Sequence, residues 1–433
     1  MSRTNDPLRL EYGREVEGLS LVRQSPPAGA VSFSATYIGP AGWGFDPPGE
    51  SGTAWAVNQL LLSGAGPYDR LALARLLDRA GATLSTDCDP EAAEVSIWGP
   101  AADWEKLLAL LAEVVTRPRF APEDVERVRR QLAERQLREL AQPGSRADRE
   151  LLRAIYPRGH PYRSTGLGDE RSVRRIRTDR LLRFHERQYT SGDALLIVTA
   201  PARLSRVETV ARACFSRFRS ERGPSLRFPP VLPGKARTIP LELPGRAQVE
   251  IRVGAGAISR SDPRYPAAFL ANEVLGGAAQ LSRLFRRIRE AHGLVYHASS
   301  EIEAMRFGGY WTLAAGTAPE RREKVVALLA RELAQIADHD VSASELQEVR
   351  ESAIGDIALS LESTARAHEL AIEVAYHRLP ADHFLQWPAL LREVRVKDVR
   401  AAAEETMDRR QAVTVLAGPS ARAGRGNRAS GVS

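Results

Sequence analysis

The stretch Gly52–Gly64, GTAWAVNQLLLSG, decides how this chain is read. A small-residue entry at Ser51–Gly52, an apolar run through Leu62 and Gly64 as a stop describe one short helix. Three side chains interrupt the apolar run at helical spacing, Trp55, Asn58 and Gln59, and they share one face. Two carboxamides beside an indole can hydrogen-bond, but they offer a metal no imidazole, thiolate or carboxylate. Residue types alone make this face a satisfied core or interface.

Around that helix the chain has 433 residues, too many for one ordinary domain, and two to three are expected. Hydrophobic and charged fractions of 43% and 27% are those of a globular protein. The net charge of +7 comes almost wholly from Arg, since Lys stands only at 106, 235, 324 and 397. The arginines are interspersed with Asp and Glu, and no basic block or nucleic-acid motif occurs, so nucleic acid is not expected as a partner. Cys88 and Cys214 are too few for a disulfide framework or a zinc ribbon. The first residues, MSRTNDPLRLEYGREVEG, lack the apolar centre of a signal peptide, and no apolar run is long enough to span a membrane. A cytoplasmic location is the expectation.

Short alternating runs, LRLEY, LSLVRQ and VSFSATYIG, read as strands before the Gly52 helix. A helix near Asp69–Arg79 follows, then the strands ATLSTDC and AAEVSIWG, then a helical stretch over 101–115, 122–140 and 146–156. A helix near Asp179–Arg187 leads into the buried strand ALLIVTA. The Pro-rich segment after it contains a linker at 226–245. The second half then repeats the order: strand VEIRVGAGAI, helices at 263–275 and 282–291, strands VYHASSEIEA and GGYWTLAAG, helices at 319–337, 342–361, 365–378 and 397–407, and a closing strand AVTVLAG. The domains expected are 1–225 and 246–418, with a low-complexity, disordered tail at 419–433. The fold class is α+β: two pseudo-repeated domains, each a mixed, mainly antiparallel sheet with helices packed on one face.

The frame also resembles the pitrilysin/insulinase family of metallopeptidases, peptidase family M16, in its short two-domain form. That family carries H-x-x-E-H in a context like G-x-A-H-x-x-E-H-x-x-x-x-G, and here the frame reads G-T-A-W-A-V-N-Q-L-L-L-S-G. Trp55 stands at the first zinc-binding His, Asn58 at the glutamate that activates water and Gln59 at the second His. The third ligand, a glutamate on a later helix, falls near Arg135, with Glu134 one residue off the face. In the family, zinc lowers the pKa of a bound water and the carboxylate takes its proton. An amide at position 58 cannot be that base. The resemblance implies no cofactor in this chain, and a clam-like pair of domains of the LuxS/MPP-like metallohydrolase type.

The second half keeps the family's other signature, S-R-L-F, R-E and G-L-x-Y, within LSRLFRRIREAHGLVYHASS. Ser282 is a candidate N-cap, Phe285 and Ile288 a buried stripe, and Gly293 a stop. In the family the Arg/Tyr pair corresponding to Arg289 and Tyr296 binds the substrate backbone across the cleft and steadies the oxyanion. Gly276–Gly277 resembles a shortened glycine-rich loop that handles peptide; an ordinary helix–helix turn is the other reading. His292 and His297 flank the pair without a ligand role, and the loop at Gly159–His160–Pro161 is a packing element. The strand VEIRVGAGAI is a candidate for peptide addition at a sheet edge. The resemblance implies a non-catalytic subunit of a heterodimeric zinc peptidase, binding unstructured peptide, with zinc on the partner subunit. A scaffold protein of peptidase ancestry is the alternative.

Overall fold

The computed structural model describes residues 6–218, 223–232 and 234–420. In chain order it runs β1 (Leu10–Tyr12), β2 (Ser20–Gln24), β3 (Ser32–Gly39), α1 (Thr53–Leu60), β4 (Gly64–Ala65), β5 (Tyr68–Asp69), α2 (Arg70–Ala80), β6 (Thr83–Cys88) and β7 (Ala93–Pro100). Helices α3 (Trp104–Thr116), α4 (Pro122–Ala141), α5 (Pro143–Ile155), α6 (Glu170–Val173) and α7 (Thr178–Gln188) precede β8 (Leu195–Thr199) and α8 (Leu204–Phe215). The second half holds β9 (Arg237–Glu242), β10 (Val249–Ala257), α9 (Tyr265–Asn272), β11 (Val295–Met305) and β12 (Gly308–Thr317). It ends with α10 (Arg322–Asp338), α11 (Ala343–Ser360), α12 (Thr364–Tyr376), α13 (His383–Glu393), α14 (Val396–Thr406) and β13 (Val413–Gly418).

The repeat read from the sequence is a repeat of sheet topology. One sheet has the order β1-β2-β8-β3-β7-β6 and the other β11-β12-β10-β13-β9. Apart from the extra β1, the two are the same walk, since β3, β6, β7 and β8 correspond to β10, β11, β12 and β13. Each sheet is antiparallel except at one place: β2 runs parallel to β8, and β9 runs parallel to β13. β9 lies inside the stretch read as a linker, and it fills the place that β2 holds in the first sheet. The tail assigned to 419–433 falls, beyond residue 420, outside the described residues. Helices α8 and α13 have no counterpart in the sequence reading; α13 carries Pro388 within it, which masks its helical period.

The chain forms two compact units, and they do not follow the halves of the sequence. One unit takes Met1–Leu137, Ser164–Arg227 and Ile357–Gln386; the other takes Arg138–Arg163, Phe228–Asp356 and Trp387–Ser433. Helix α5 from the first half therefore packs on β10 and β13, and α12 from the second half packs on β2, β3 and β8. Ala147 and Leu151 of α5 are buried with Val413, Val415 and Ala417 of β13. Strand alternation explains why each sheet can take helices on both faces. In β3, Phe33, Ala35 and Tyr37 face the main core with α1, α3 and α8, and Phe33 meets Trp104 at 6.3 Å between ring centroids. Thr36 points the other way, to α12.

Candidate functional site

α1 starts at Gly52, whose φ of +100° is a left-handed conformation that favours glycine. A Cβ there would also meet Leu132 Cδ2 at 2.9 Å. The free amides of the helix start are taken by Asp46, whose two carboxylate oxygens each accept at 2.7 Å, from Gly52 N and Ala54 N. Burial pushes Asp46 up to about 7 against these hydrogen bonds. The helix is thus anchored tightly at the end that leads into the polar face.

The structure brings the four degenerate-motif residues onto two neighbouring helices and fills the space between them. Trp55 is buried, and the Arg135 guanidinium of α4 lies 5.7 Å from its ring centroid. Such a contact contributes about 0.5–1 kcal/mol at an exposed edge. Asn58 is buried and its Nδ2 donates to Asp87 O at 2.8 Å and Glu94 O at 3.3 Å, fastening α1 to the β6–β7 hairpin. Gln59 Nε2 donates to Thr86 Oγ1 at 3.4 Å on the same hairpin. Glu134 is exposed on α4. This set does not fit zinc. A cationic guanidinium covers the indole, and both amide nitrogens face strands rather than converging on a common point. Among the described residues no group of three His, Cys, Asp or Glu side chains could hold a metal ion.

The second constellation lies in the other unit. Residues Glu273–Gly277, where the sequence predicts a helix ending at 275 and then a turn or loop at Gly276–Gly277, and Leu284–Glu290, predicted to be ordinary helix, are wound as π-helix. The buried residues of the second segment are Leu284 and Ile288; Phe285, read as part of the buried stripe, is only half-buried. Its ring instead supports the Arg289 guanidinium, 5.1 Å from the centroid. The segment and the residue before it carry four arginines, and three are ion-paired. Arg283 grips Glu345 at 2.9 and 3.0 Å, Arg286 meets Glu348 at 2.9 Å, and Arg287 meets Glu332 at 2.9 Å. The Arg283 contact, with the Ser342 amide, holds Glu345 down at about 2 despite partial burial. Arg289 is exposed, and among the described residues it has no ion pair and no side-chain hydrogen bond.

Tyr296 has an origin that sequence periodicity could not show. Register in the β11–β12 pair shifts between Val295 and His297, so Tyr296 is the extra residue of a bulge. The bulge breaks alternation and turns the side chain outward, leaving it 57% exposed. It sits on β11, an edge strand of its sheet. β10, the strand considered for peptide addition, is flanked by β12 and β13 and has no open edge.

Gly276 has a packing reason of its own. A Cβ at that position would meet Ser300 N at 2.4 Å and Ser300 Cβ at 2.6 Å, so the bare glycine lets the π-turn touch the backbone of β11. At Gly277 the nearest atoms are side-chain ends, Glu273 Oε1 at 2.4 Å and Asn272 Nδ2 at 2.6 Å. Asn272 also accepts from Ser300 Oγ at 2.5 Å. Glu273 beside it is pushed up to about 6 by burial. His297 Nε2 lies 3.5 Å from Glu250, and His160 stacks at 4.5 Å on Tyr156 in an aromatic cluster with Tyr162 and Phe228.

Two family models match the chain, one described as insulinase (peptidase family M16) over residues 22–169 and one as the peptidase M16 inactive domain over 175–353. Among curated proteins, an uncharacterized zinc protease of Mycobacterium leprae is 25% identical over 406 residues, 92% of this chain and 89% of its own length. One of Rickettsia bellii is 22% identical over 360 residues, 81% of this chain and 84% of its own. Among solved structures, a peptidase M16 inactive domain protein from Pseudomonas fluorescens aligns with a TM-score of 0.89 at 24% identity, covering 95% of this chain and 98% of its own. A protease from Helicobacter pylori aligns with a TM-score of 0.86 at 18% identity, covering 94% and 99%.

Proposed function

The chain belongs to the insulinase family of peptidases, family M16, and from that premise we propose that it is the non-catalytic, substrate-binding subunit of a heterodimeric zinc metallopeptidase. A zinc-bearing M16 subunit would supply the metal, the activated water and the general base. This chain would supply Arg289 and Tyr296 to the cleft of the pair. The observation that carries the reading is the state of Arg289. Its three neighbouring arginines are tied to acids, while its own guanidinium is exposed on Phe285; in the same unit, a bulge in β11 leaves Tyr296 exposed as well.

Two exposed donors of this kind suit an extended peptide. A guanidinium and a phenol can both donate to a carbonyl oxygen, and they act more strongly as that oxygen gains charge in the tetrahedral intermediate. The free edge of β11 can add backbone hydrogen bonds to the same peptide with little sequence preference. Unstructured peptides are the substrate class this implies.

The test is to express the chain alone and together with a zinc-bearing M16 homologue, then follow cleavage of an unstructured peptide and the zinc content of each preparation. The expectation is zinc only in the partner, little turnover by either chain alone, and efficient turnover by the pair. Stoichiometric zinc in the isolated chain would overturn the reading. A pair that assembles without gaining activity would favour a scaffold role instead.

A further inference from the structure

The geometry points to a buried proton-binding site in the first unit: a hydrogen-bond chain from Glu94 to Gln24, through His368, that closes only when it holds one proton beyond an ionised glutamate and a neutral histidine.

The argument is a count of hydrogens. α12 covers a polar patch formed by β2, β3, β7 and β8, and its His368 bridges two threonines. His368 Nδ1 lies 2.7 Å from Thr199 Oγ1, and its Nε2 lies 2.8 Å from Thr36 Oγ1. Thr36 Oγ1 is 2.7 Å from Ser96 Oγ, and Ser96 Oγ is 2.7 Å from Glu94 Oε1. At the other end Thr199 Oγ1 is 2.6 Å from Gln24 Oε1. The Gln24 amide is oriented by its Nε2, which donates to Pro7 O at 2.7 Å and Ala367 O at 2.8 Å, so its oxygen must accept from Thr199. Thr199 has one hydrogen and spends it there, so it must accept from an Nδ1–H on His368.

That leaves the other side one hydrogen short. Three contacts join His368 Nε2, Thr36, Ser96 and Glu94, and with Nδ1 protonated in a neutral ring only the two hydroxyls can donate. An ionised Glu94 therefore leaves one of these close contacts as lone pair against lone pair. Burial makes that costly, because Thr36, Ser96, Thr199 and His368 are all buried. One added proton closes the chain. Placed on Glu94, it lets Glu94 donate to Ser96, Ser96 to Thr36 and Thr36 to Nε2; placed on His368, it reverses all three.

The surrounding charges favour Glu94 as the resting place. Burial first, and then the charges of Asp87, Asp89 and Glu369, raise its carboxyl above the ordinary range against the Ser96 hydrogen bond. Burial alone drives His368 down to about 3. β3 and β8 carry no charged side chain, and the one cation on β2, Arg23, is paired with Glu11 at 3.1 Å. From about pH 7.5 upward the unfolded chain leaves both groups essentially unprotonated, since its histidine titrates near 6.5. The folded chain holds one more proton there, so the docking of α12 weakens as pH rises through the folded titration.

The test is made on the full chain at pH 7.5. Infrared difference spectra between wild type and Glu94→Gln should show one protonated carboxyl lost, and ring 15N shifts should show a neutral Nδ1–H tautomer at His368. An imidazolium at His368 opposite an ionised Glu94 would also support the count. An ionised Glu94 with a neutral His368 would overturn it. Ser96→Ala cuts the chain and supplies an independent check: the protonated carboxyl should disappear, and its persistence would show that the chain is not what holds the proton. Between pH 7 and 9 the folding constant of wild type should fall, relative to Glu94→Gln, by up to tenfold per pH unit. Parallel profiles would refute the proposal.

Discussion

Replacing Arg289 by Ala separates chemistry from folding, because the structure leaves this arginine almost nothing to do for stability. It is exposed, holds no acid and touches one half-buried ring at 5.1 Å. Losing an exposed cation–π contact costs about 0.5–1 kcal/mol. Losing one donor to the oxyanion of a peptidase costs about 10²–10³ in turnover. Arg283→Ala is the contrasting variant, since it strips Glu345 of a two-point contact at 2.9 and 3.0 Å within the packed helices. Removing one partner of this half-buried pair destabilises on the order of 1–3 kcal/mol, less than for a fully buried one. The assay is kcat and KM on an unstructured peptide for the proposed pair, made with a zinc-bearing M16 homologue, alongside thermal unfolding. Arg289→Ala should keep its melting temperature and assembly while kcat falls; a change confined to KM would assign the residue to uniform binding of substrate. If the pair assembles and both kcat and KM are unchanged, the assignment of Arg289 is wrong.

Other expectations concern the scaffold that presents this pair. Glu345 titrates at about 2 when folded and near 4.3 when unfolded, so its contribution is present above pH 4.3 and is lost as pH falls toward 2. Glu345→Gln should flatten the acid arm of a denaturant-midpoint profile in that window, by roughly 1–3 kcal/mol at most. Gly276→Ala should destabilise by about 1–3 kcal/mol, since the added methyl meets the Ser300 backbone at 2.4 Å, whereas Gly277→Ala meets only side-chain ends and should cost less. Leu151→Ala should cost about 2–5 kcal/mol, and hydrogen exchange should show the loss in β10 and β13 rather than in β3 and β8.

How much of this was legible in the sequence depends on the range of the interaction. The paired order of strands was legible because alternation and turn residues are local, and β3, β6, β7 and β8 reappear as β10, β11, β12 and β13. The exchange of α5 and α12 between units was not, because an amphipathic helix records that it has a buried face but not which sheet covers it. Arg289 and Tyr296 could be singled out by residue type and frame. Their availability could not, because it depends on three neighbouring salt bridges and on a register shift that only pairing with β12 creates. The π-helical segment Leu284–Glu290 was read as plain helix for the same reason. A wider turn changes neither composition nor length enough to mark itself, and Phe285, expected in the buried stripe, instead lies half-buried under Arg289.

The two repeats also account for the amides that α1 carries. In each repeat, the helix after the long central strand uses an asparagine to tie itself to the outer hairpin. Asn58 donates to the β6–β7 carbonyls of Asp87 and Glu94, and Asn272 accepts from Ser300 of β11. The residue after each is a longer polar side chain: Gln59 reaches Thr86 of the same hairpin, and Glu273 bonds to Asn272. An asparagine at position 58 therefore needs no ligand to account for it, because its counterpart at 272 does the same structural work. Asn58→Leu should then loosen the β6–β7 hairpin, visible as faster amide exchange at Thr86–Cys88, and should leave the Arg289 constellation unaltered. If instead it abolished peptide turnover by the assembled pair while the hairpin stayed protected, α1 would still be part of the working site.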